Sequence, residues 1–353
     1  MSTDRYSRQI LFPGIGEEGQ RQLAKGRVLL CGCGALGSAI ADGLTRAGVG
    51  FLRIVDRDFV ELSNLQRQVL FDEQDIAQQL PKAIAAARKL ALINSTVTLE
   101  PVVADIDHTN ILSLASGVDL ILDGMDNFET RFLINDAALE TGIPWIYGGC
   151  IGSHGQVLSI LPGQSACLRC LIGDLPDPGM VQTCDTAGVL GPAVNVVAAL
   201  QVVSALKFLA GRRDLWDQSL TIVDVWDGIW RKMNVSRLRE QSNCLACVQG
   251  EREWLTGKRA SQTTVLCGRN AVQISPPEKR ALSFTEMAPR LRAAGEVSFN
   301  QFLLRFTLPM SEASTAESAE PVQITLFPDG RAMIKGTSDA TVARALYARW
   351  IGS

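Results

Sequence analysis

Short apolar runs alternate with segments of helical periodicity through the first half of the chain. Arg27–Cys31 (RVLLC) is an apolar run that leads into a glycine-rich turn. Leu36, Ile40 and Leu44 then recur at the spacing of one helical face. Repeated alternation of strand and helix is typical of a parallel sheet with helices on both faces. The pattern predicts strands at Phe51–Asp56, Val97–Val103, Val118–Asp123, Trp145–Tyr147 and Gln156–Leu161, and helices at Ala35–Ala47, Pro81–Leu92 and Arg131–Thr141.

The pattern changes near residue 250. Leu220–Val225 and Arg231–Leu238 still have the character of regular elements, whereas the residues that follow are polar. Short strands, a helix near Thr285–Ala294 and a Ser/Glu-rich loop at Ser311–Glu320 come next. We therefore predict a doubly wound α/β domain over residues 1–250, a linker over 251–263 and a small C-terminal α+β domain over 264–353.

A hairpin and a terminal helix are the clearest predicted elements of the second domain. The runs VQITLF and RAMIKG flank Pro328-Asp329-Gly330. Proline presets one angle of such a turn and glycine accepts a positive φ, so the two runs are expected to pair. Ser338 or Asp339 is placed to cap a last helix, Ala340–Trp350.

Composition excludes several classes of protein. The chain has 353 residues, with 34 Lys and Arg against 37 Asp and Glu and a net charge of −3. This balance is too neutral for a nucleic-acid binder built on a basic face. A hydrophobic share of 46% excludes disorder for most of the chain. The two histidines, His108 and His154, are too few for a histidine-rich metal site.

Two segments bear on where the protein resides. Charged residues such as Arg8 and Glu17 stand where a secretory signal has its apolar region, so we expect a cytoplasmic protein with reduced or metal-bound cysteines. The uncharged run Gly188–Leu206 is long enough to cross a bilayer. Because Pro192 and Gln201 interrupt it, a helix buried in the protein or in a dimer interface is favoured over a membrane span.

A glycine-rich motif follows the first predicted strand. Gly32, Gly34 and Gly37 form G-x-G-x-x-G, and Asp56 ends the next strand about twenty residues further on. Glycines let the backbone approach a phosphate, the helix N-terminus attracts it, and the aspartate accepts from a ribose hydroxyl. This Rossmann-like arrangement predicts an adenine-nucleotide site. NAD is the default ligand, and a tight turn without a ligand is the alternative.

Charged residues beyond Asp56 favour ATP over NAD as the ligand. Asp58, the segment SNLQRQ at residues 63–68 and Lys82 follow in order. Arg67 and Lys82 suit the negative charge of a triphosphate, whereas a dehydrogenase has no evident use for them. The alternative is that both are solvated surface charges.

An acidic motif, Asp123-Gly-Met-Asp126-Asn127, follows a strongly apolar strand. The carboxyl ends of strands face the ligand crevice in doubly wound sheets, so Asp126 is placed to hold Mg²⁺ against phosphate oxygens. The alternative is an N-cap for a helix that starts near Thr130, and the two roles can also fall to different residues of the loop. Occurrence of this motif together with Arg67 and Lys82 favours ATP.

Four of the nine cysteines form two C-x-x-C motifs. Cys167 and Cys170 make the first pair, and Cys244 and Cys247 make the second. Four thiolates give a closed tetrahedral Zn²⁺ site, which is structural and not catalytic. A redox role for either pair is the competing interpretation, and two pairs in one reduced chain favour zinc.

Two further cysteines leave alternatives open. Cys184 lies in the polar, glycine-flanked stretch QTCDTAG ahead of the apolar helix. The helix dipole favours its thiolate, which suits a nucleophile, but a buried small hydrophobe is the commoner fate of a free cysteine. Cys267 lies on an apparent strand, where a buried structural residue is favoured.

These motifs occur in an order that resembles one family. From Arg5 to Cys247 the chain is similar to the ThiF/MoeB/HesA family, the bacterial relatives of the ubiquitin-activating enzymes. The matching segments are RYSRQI, GCGALG, VDRDFVELSNLQRQ, PKA, DGMDN, CLRC, TCDTAGVLGP and CLAC. The resemblance implies an adenylyltransferase that uses ATP and Mg²⁺ to adenylate the C-terminal Gly-Gly carboxylate of a ubiquitin-like sulfur-carrier protein. The products are acyl-AMP and pyrophosphate, ahead of sulfur transfer.

The resemblance also implies roles for individual residues. The motif glycines line the nucleotide and Asp56 holds the ribose. Arg8 reaches the ATP of the other subunit, which implies a homodimer with two composite sites. Cys184 matches the cysteine that thiamine-pathway members use in sulfur transfer, as an acyl-disulfide or persulfide. The residues carried over to the phosphates are Asn64, Arg67 and Lys82, with Asp126 for Mg²⁺ and with Asp58 and Asn127 as adjoining nucleotide contacts.

Departures and the C-terminal region refine this picture. Gln79 stands where the family usually has Gly, and Gly124-Met125 stands where it has Thr or an Ala-Thr pair. The C-terminal region is similar to the extension of the longer ThiF-type proteins, which favours the thiamine carrier ThiS over the molybdopterin carrier MoaD. We expect this region to recognise the carrier or a sulfur-donor protein. The remaining alternatives are a nicotinamide-dependent oxidoreductase, for which His108 and His154 offer no supported catalytic acid, and a non-catalytic scaffold.

Overall fold

The computed structural model describes residues 3–174, 187–259, 263–266, 270–274, 276, 282–308 and 321–351. The chain divides into two compact units, Met1–Ala260 and Ser261–Ser353. Each unit has its own hydrophobic core and is described by itself. Cys184, Cys267 and the Ser/Glu-rich loop at Ser311–Glu320 lie outside the described residues.

An eight-stranded sheet forms the centre of the first unit. Its strands are β1 (Arg27–Cys31), β2 (Phe51–Val55), β3 (Thr98–Val102), β4 (Leu120–Asp123), β5 (Trp145–Ile151), β6 (His154–Ile160), β7 (Leu220–Asp224) and β8 (Ile229–Met233). Their order in the sheet is β3-β2-β1-β4-β5-β6-β7-β8. The predicted parallel arrangement is confirmed for β1 to β5.

The direction of the strands changes at β6. The strands β5 and β6 are joined by Gly152 and Ser153 alone, and Gly152 has a φ of +60°. A two-residue connection can join only antiparallel neighbours, so β6 runs against β5, and β7 and β8 continue the antiparallel order. The sheet is therefore mixed. The predicted parallel strands occupy its centre and one edge, and the antiparallel strands occupy the other edge.

Helices connect the strands and pack on the sheet. They are α1 (Thr3–Ile10), α2 (Gly16–Leu23), α3 (Ala35–Ala47), α4 (Glu73–Ala77), α5 (Lys82–Ile93), α6 (Ile111–Leu114), α7 (Phe128–Thr141), α8 (Leu168–Ile172), α9 (Gly191–Leu209) and α10 (Leu238–Gln241). The helix α3 has the predicted limits. The predicted single element at Arg231–Leu238 was wrong, because the end of β8 and the start of α10 share that segment.

The helix α7 begins three residues before the predicted start. The side chain of Asn127 accepts a hydrogen bond from the Thr130 N–H at 2.8 Å, which fixes the first turn at Phe128. Phe132 of this helix and Trp145 of β5 are among the largest fully buried side chains. Burial of one such side chain contributes about 1.5–3 kcal/mol. Because β4 is also buried along its length, the loop between β4 and α7 is held between two buried elements.

The uncharged segment forms α9, which packs against α3 and β5. By length and composition alone, α9 is the one helix of the described residues that is able to cross a membrane. Gln201, near its middle, is buried, and its Nε2 donates to the backbone oxygen of Asp123 at 2.9 Å. A polar side chain tied to the end of β4 is consistent with the prediction of a helix packed inside the protein.

The second unit is an antiparallel sheet packed by two helices. Its strands are β9 (Thr263–Leu266), β10 (Ala271–Ile274), β11 (Glu296–Phe299), β12 (Leu304–Thr307), β13 (Gln323–Leu326) and β14 (Ala332–Lys335), in the order β11-β12-β13-β14-β10-β9. The helices are α11 (Phe284–Arg292) and α12 (Ala340–Trp350). The predicted hairpin is confirmed as β13 and β14. Asp339 caps α12 through bonds from the N–H groups of Thr341 and Val342, as predicted.

Candidate active site

The glycine motif forms a tight loop between β1 and α3. Gly32 has a φ of +87°, and a Cβ on it would lie 2.8 Å from the backbone oxygen of Gly124. A Cβ on Gly37 would overlap the backbone oxygen of Gly32. Gly34 is the N-cap of α3. Side chains at these positions would push the loop open, so the glycines keep the helix N-terminus accessible to an anion.

The loop after β4 packs directly on the glycine loop. A Cβ on Gly124 would lie 2.5 Å from the Gly32 backbone oxygen and 3.0 Å from the Cα of Gly37. There is no room for the Thr or Ala that the resemblance leads one to expect. The departure at Gly124 therefore has a local reason, and it brings the loop that carries Asp126 against the glycine loop.

Asp56 ties the glycine loop to the turn after β2. One carboxylate oxygen accepts from the Cys33 N–H at 2.6 Å, and the other accepts from the Asp58 N–H at 2.7 Å. Burial raises the pKa of Asp56, and the Lys82 ammonium opposes this shift. Asp56 thus lies at the predicted place, where it also orders the backbone. Its contact with a ribose stays a prediction.

Lys82 is buried at the start of α5, so the alternative of a solvated surface charge was wrong for this residue. Its Nζ lies 3.2 Å from a carboxylate oxygen of Asp58. Next to this pair, Arg57 donates to both carboxylate oxygens of Asp105 at 2.9 Å. The ends of β2 and β3 therefore carry a cluster of alternating charges, and Lys82 supplies buried positive charge beside the turn that Asp56 holds.

The segment SNLQRQ forms a 3-10 helix at Leu62–Asn64 and a following turn. Asn64 is buried and its Oδ1 accepts from the Glu61 N–H at 3.1 Å. Arg67 is half-buried and donates to the backbone oxygen of Ser63 at 2.7 Å. A Cβ on Gly191 would lie 3.0 Å from the backbone oxygen of Gln66, so this turn packs against the start of α9.

Asp126 and Asn127 divide the two roles proposed for the acidic motif. Asn127 is the N-cap of α7, so the alternative of Asp126 as the cap was wrong. Asp126 is exposed and interacts electrostatically with Arg57 and Arg131. Asp126 therefore lies exposed at the carboxyl end of β4, the edge at which doubly wound sheets bind their ligands, and its contact with Mg²⁺ stays a prediction.

The sequence did not predict the buried side chain that holds the loop after β4. Arg131 on α7 donates from Nε to the Asp123 carboxylate at 2.9 Å, and both side chains are buried. Its Nη2 also donates to the backbone oxygens of Met125 at 2.6 Å and Gly148 at 2.9 Å. One signal was available, because the apolar strand ends in an aspartate and the next helix carries an arginine in its first turns.

Arg8 lies exposed on α1. The helix is anchored by Tyr6, whose hydroxyl accepts from Asn94 Nδ2 at 2.7 Å. A Cβ on Gly48 would lie 2.5 Å from the Tyr6 ring, which therefore rests against the end of α3. The anchor holds Arg8 at the surface, and its contact with a nucleotide of a second subunit stays a prediction.

The four predicted metal ligands come together. The Sγ atoms of Cys167, Cys170, Cys244 and Cys247 all lie within 4.8 Å of one another. Cys167 is 3.8 Å from Cys170 and 3.7 Å from Cys244, and Cys170 is 3.3 Å from Cys247. Tetrahedral zinc with bonds of about 2.3 Å separates its sulfurs by a little under 4 Å. The donor set and its spacing therefore fit zinc, and no two of these sulfurs are at bonding distance for a disulfide.

The helix α7 also supports the cysteine cluster. Asn135 accepts from the Leu168 N–H at 2.9 Å, within the first C-x-x-C motif. Asp136 accepts from the Trp254 N–H at 3.0 Å, and burial raises the pKa of Asp136 to about 6. The ring of Trp254 stacks on Phe132 with centroids 5.6 Å apart. One helix thus connects the cysteine cluster at its middle with the loop of Asp126 at its start.

Cys184, the predicted thiol, lies outside the described residues. The contacts of the two histidines are with residues outside the motif loops. His154 is largely exposed and lies 3.0 Å from Asp224, and a Cβ on Gly257 would lie 2.9 Å from the ring of His108. Neither contact involves a residue of the glycine loop, of the turn after β2 or of the loop after β4.

Known proteins are similar to this chain over most of its length. The model of the ThiF family matches residues 6–247. The chain is 42% identical over 351 residues to the sulfur carrier protein ThiS adenylyltransferase of Bacillus subtilis, covering 99% of this chain and 100% of that protein. It is 36% identical over 282 residues to the adenylyltransferase and sulfurtransferase MOCS3 of Sus scrofa, covering 78% of this chain and 60% of that protein.

A solved structure shares the fold. The crystal structure of E. coli MccB with ATP superposes with a TM-score of 0.58 at 24% sequence identity, covering 65% of this chain and 71% of that chain. At this identity the likeness is evidence of fold alone.

Proposed function

This chain belongs to the ThiF family, and we propose that it is an ATP-dependent adenylyltransferase of a ThiS-type sulfur-carrier protein. It activates the C-terminal Gly-Gly carboxylate of the carrier, ahead of sulfur transfer in thiamine biosynthesis. One observation favours a ThiS-type carrier over a MoaD-type carrier. The Bacillus subtilis ThiS adenylyltransferase aligns over 99% of the chain, so the likeness includes the C-terminal unit, whereas the family model ends at residue 247.

The site loops support ATP as the nucleotide. The glycine loop, the turn after β2 and the loop after β4 all follow the carboxyl ends of neighbouring parallel strands. The N-terminus of α3 attracts a phosphate, and Lys82 adds a buried positive charge nearby. Asn64 and Arg67, from the turn against α9, are the further phosphate contacts that we propose.

Asp126 is the residue that would hold Mg²⁺. Its carboxylate is an oxygen donor of the type this ion prefers, and it is exposed at the end of β4, so phosphate oxygens and water can complete the coordination. When bound, the ion neutralises charge on the phosphates. Arg131 keeps Asp126 in place through the Met125 backbone oxygen, and Asn127 fixes the direction of α7.

The reaction follows from these charges. A carrier carboxylate oxygen attacks the α-phosphorus of ATP, a new C–O–P bond forms, and the bond from the α-phosphorus to the bridging oxygen of pyrophosphate breaks. The electron pair leaves with pyrophosphate, whose charge Arg67 and Lys82 offset. The protein acts by positioning and charge neutralisation. The acyl-AMP that results has a good leaving group, whereas a free carboxylate has none.

An exposed edge strand supports a protein substrate. Trp226, in the turn before β8, is 78% exposed, and Trp230, in β8, is 59% exposed. The turn between β7 and β8 lies at the same edge of the sheet as the carboxyl ends of the parallel strands, because β7 runs parallel to β5. An open edge with aromatic side chains suits docking of a strand from a small partner.

Exposed apolar residues support the homodimer. Leu11 and Phe12, immediately after α1, are exposed, and so is Val203 on α9. Burial of these residues against a second copy would bring Arg8, three residues before Leu11, to the interface. We propose that Arg8 then contacts the nucleotide of the partner. The four-cysteine cluster is proposed as a structural zinc site, in a cytoplasmic protein.

Pyrophosphate exchange tests the proposal. Purified chain with ATP, Mg²⁺ and labelled pyrophosphate is expected to form labelled ATP when a ThiS-type carrier is present, and not when the carrier lacks its last two glycines. Exchange with a MoaD-type carrier alone would support the alternative that the likeness to MOCS3 favours. Binding of NAD in place of ATP would overturn the proposal in favour of an oxidoreductase. Binding of ATP with no exchange would favour a scaffold.

A further inference from the structure

A histidine and a buried carboxylate lie side by side at the carboxyl edge of the first sheet, outside the loops proposed for the nucleotide. His154 begins β6 and Asp224 ends β7, and the two residues are neighbours in the register of these strands. The Nε2 of His154 lies 3.0 Å from the Oδ2 of Asp224. The side chain of His154 is 71% exposed, whereas that of Asp224 is 9% exposed. An exposed imidazole therefore rests on a buried carboxylate.

The carboxylate of Asp224 is fixed by its other contacts. Its Oδ1 accepts from the Ser153 hydroxyl at 2.8 Å, from the Trp226 N–H at 3.1 Å and from the Asp227 N–H at 3.3 Å. The bond from Ser153 is the main reason that the pKa of Asp224 lies below its ordinary value. All three donors bind Oδ1, so Oδ2 is left to face His154.

This contact determines which nitrogen of His154 carries the proton. The lone pair of an unprotonated Nε2 would repel a carboxylate oxygen 3.0 Å away, so Nε2 is the protonated nitrogen. In the neutral imidazole Nδ1 is then a hydrogen-bond acceptor. Because most of the side chain is exposed, His154 offers this acceptor to a ligand, in an orientation that Asp224 holds.

His154 lies on the same face of the sheet as α7. A Cβ on Gly155 would lie 2.1 Å from a valine side chain of α9, so Gly155 faces α9. Successive residues of a strand point to opposite faces, so His154 belongs to the other face. There Phe132 of α7 shares a core with Tyr147 of β5. The loop that carries Asp126 leads into α7, so this loop and His154 share one face and one edge of the sheet.

The strand order places His154 between two parts of the proposed site. Its strand, β6, lies between β4, whose loop carries Asp126, and β7, whose following turn carries Trp226. A carrier that docks at Trp226 has to extend its C-terminal tail across β6 and β5 to bring its carboxylate to the loop after β4. The tail therefore passes the end of β6, where His154 stands.

The register gives the part of the tail that reaches His154. The pairing of β4 with β5 brings Asp123, the last residue of β4, level with Tyr147. The strand β5 continues for four residues to Ile151, the partner of His154. At about 3.3 Å per residue, His154 lies about 13 Å beyond the end of β4 along the strand direction. An extended tail covers this span with about four residues, so His154 is level with the residues just before the two terminal glycines.

We propose that His154, held by Asp224, binds the tail of the carrier and positions its carboxylate. The Nδ1 of His154 accepts a hydrogen bond from a backbone N–H of the residues that precede the Gly-Gly end. Backbone N–H groups lose water when a tail lies against a protein and need an acceptor there. The inference rests on the proposed function, because it takes a carrier with an extended C-terminal tail as the substrate.

Two substitutions at His154 test the contact in the pyrophosphate-exchange reaction with a ThiS-type carrier. In His154→Ala the KM for the carrier should rise about five- to ten-fold, the effect of one hydrogen bond, while the KM for ATP and the maximal rate stay unchanged. His154→Asn keeps an oxygen acceptor close to the place of Nδ1, so its KM should lie within about three-fold of the unchanged protein. The matched control is His108→Ala, at the other exposed histidine, which should change none of these values. Melting temperatures should be equal in all four proteins.

Variants of the carrier identify the N–H group. The third, fourth and fifth residues from its C-terminus are replaced by proline, one at a time. Proline removes the N–H and still allows an extended backbone, and alanine at the same position is the control. At the contact position, proline should raise the KM for the carrier with the unchanged protein and raise it no further with His154→Ala.

Two results would overturn the inference while leaving the proposed function intact. One is a KM for the carrier in His154→Ala within two-fold of the unchanged protein. The other is a set of proline effects that add to the effect of His154→Ala at all three positions. Absence of exchange by the unchanged protein with any carrier is a different result, which would overturn the proposed function and this inference with it.

Discussion

Arg131 donates from Nε to the carboxylate of Asp123 at 2.9 Å, and this buried ion pair joins the end of β4 to α7. The same guanidinium holds the backbone oxygens of Met125 and Gly148. The loop that carries Asp126 is thus fixed from below by one side chain. Asp126 itself is exposed, and the backbone oxygen of Met125 beside it accepts from this guanidinium.

Replacement of Arg131 should be strongly destabilising. Arg131→Met leaves the Asp123 carboxylate buried without its cation, which typically costs about 3–5 kcal/mol of unfolding free energy. We expect this loss in urea unfolding, together with a fall in pyrophosphate exchange. Arg21→Met is the control, because Arg21 pairs with Glu18 at the surface and its loss should change stability by less than about 0.5 kcal/mol. A loss below about 1 kcal/mol in Arg131→Met would contradict the assigned role.

Substitutions at Asp126 and Asn127 should have different effects, the first on catalysis and the second on stability. Asp126→Ala removes an exposed carboxylate, so we expect unfolding within about 0.5 kcal/mol of the unchanged protein and no detectable pyrophosphate exchange. Asn127→Ala removes the cap of α7 and should cost about 1 kcal/mol. Urea unfolding and exchange measured on both variants check the division. Near-normal exchange in Asp126→Ala would rule out its role at the metal.

The cysteine cluster should bind one zinc ion per chain. Cys170→Ser removes one of four ligands, so elemental analysis of the purified variant should show loss of zinc, and its melting temperature should fall. A strong chelator should lower the melting temperature of the unchanged protein in the same direction. Cys150→Ser is the control, because Cys150 lies on β5 and is not part of the cluster. Full zinc content in Cys170→Ser would contradict the four-ligand site.

Local sequence patterns were enough to predict the parallel half of the sheet. The limits of β1 and α3 agree with prediction because the glycine motif interrupts the pattern between them. The antiparallel half was not predictable in the same way, since an apolar run such as His154–Ile160 has no feature that gives its direction. That direction depends on the two-residue connection at Gly152, whose positive φ is not distinctive among the glycines of this chain.

The parts of the candidate site that lie within sequence motifs were predictable. The four cysteines meet as their spacing predicted, and Lys82 and Asp56 lie beside the same turn. The contacts that connect the motifs were not predictable. The close approach of Gly124 to Gly32, and the placement of Gln68 beside Gly34, join residues that are far apart in the sequence and appear only when the loops are packed.

Asp136 should make stability depend on pH. Burial raises the pKa of this carboxyl from 3.8 to about 6 in the folded protein, against the nearby Arg252 and Arg169 and the N–H groups of Trp254 and Leu255, which lower it. The folded protein therefore binds this proton more tightly than the unfolded chain does. Between the two pKa values the native state holds more protons, so stability falls as pH rises through this interval and the loss is complete above about pH 7.

An asparagine at this position isolates the effect. Asp136→Asn keeps an acceptor for the Trp254 N–H and cannot ionise, so its unfolding free energy should lack this decline. We expect the difference between the variant and the unchanged protein to move in favour of the variant by about 1–2 kcal/mol from pH 5 to pH 8. Urea unfolding at both pH values measures it, and Glu251→Gln, at an exposed carboxylate, should show no such change. A difference that is constant with pH would mean that Asp136 is ionised in the folded protein throughout this range, held so by Arg252 and Arg169.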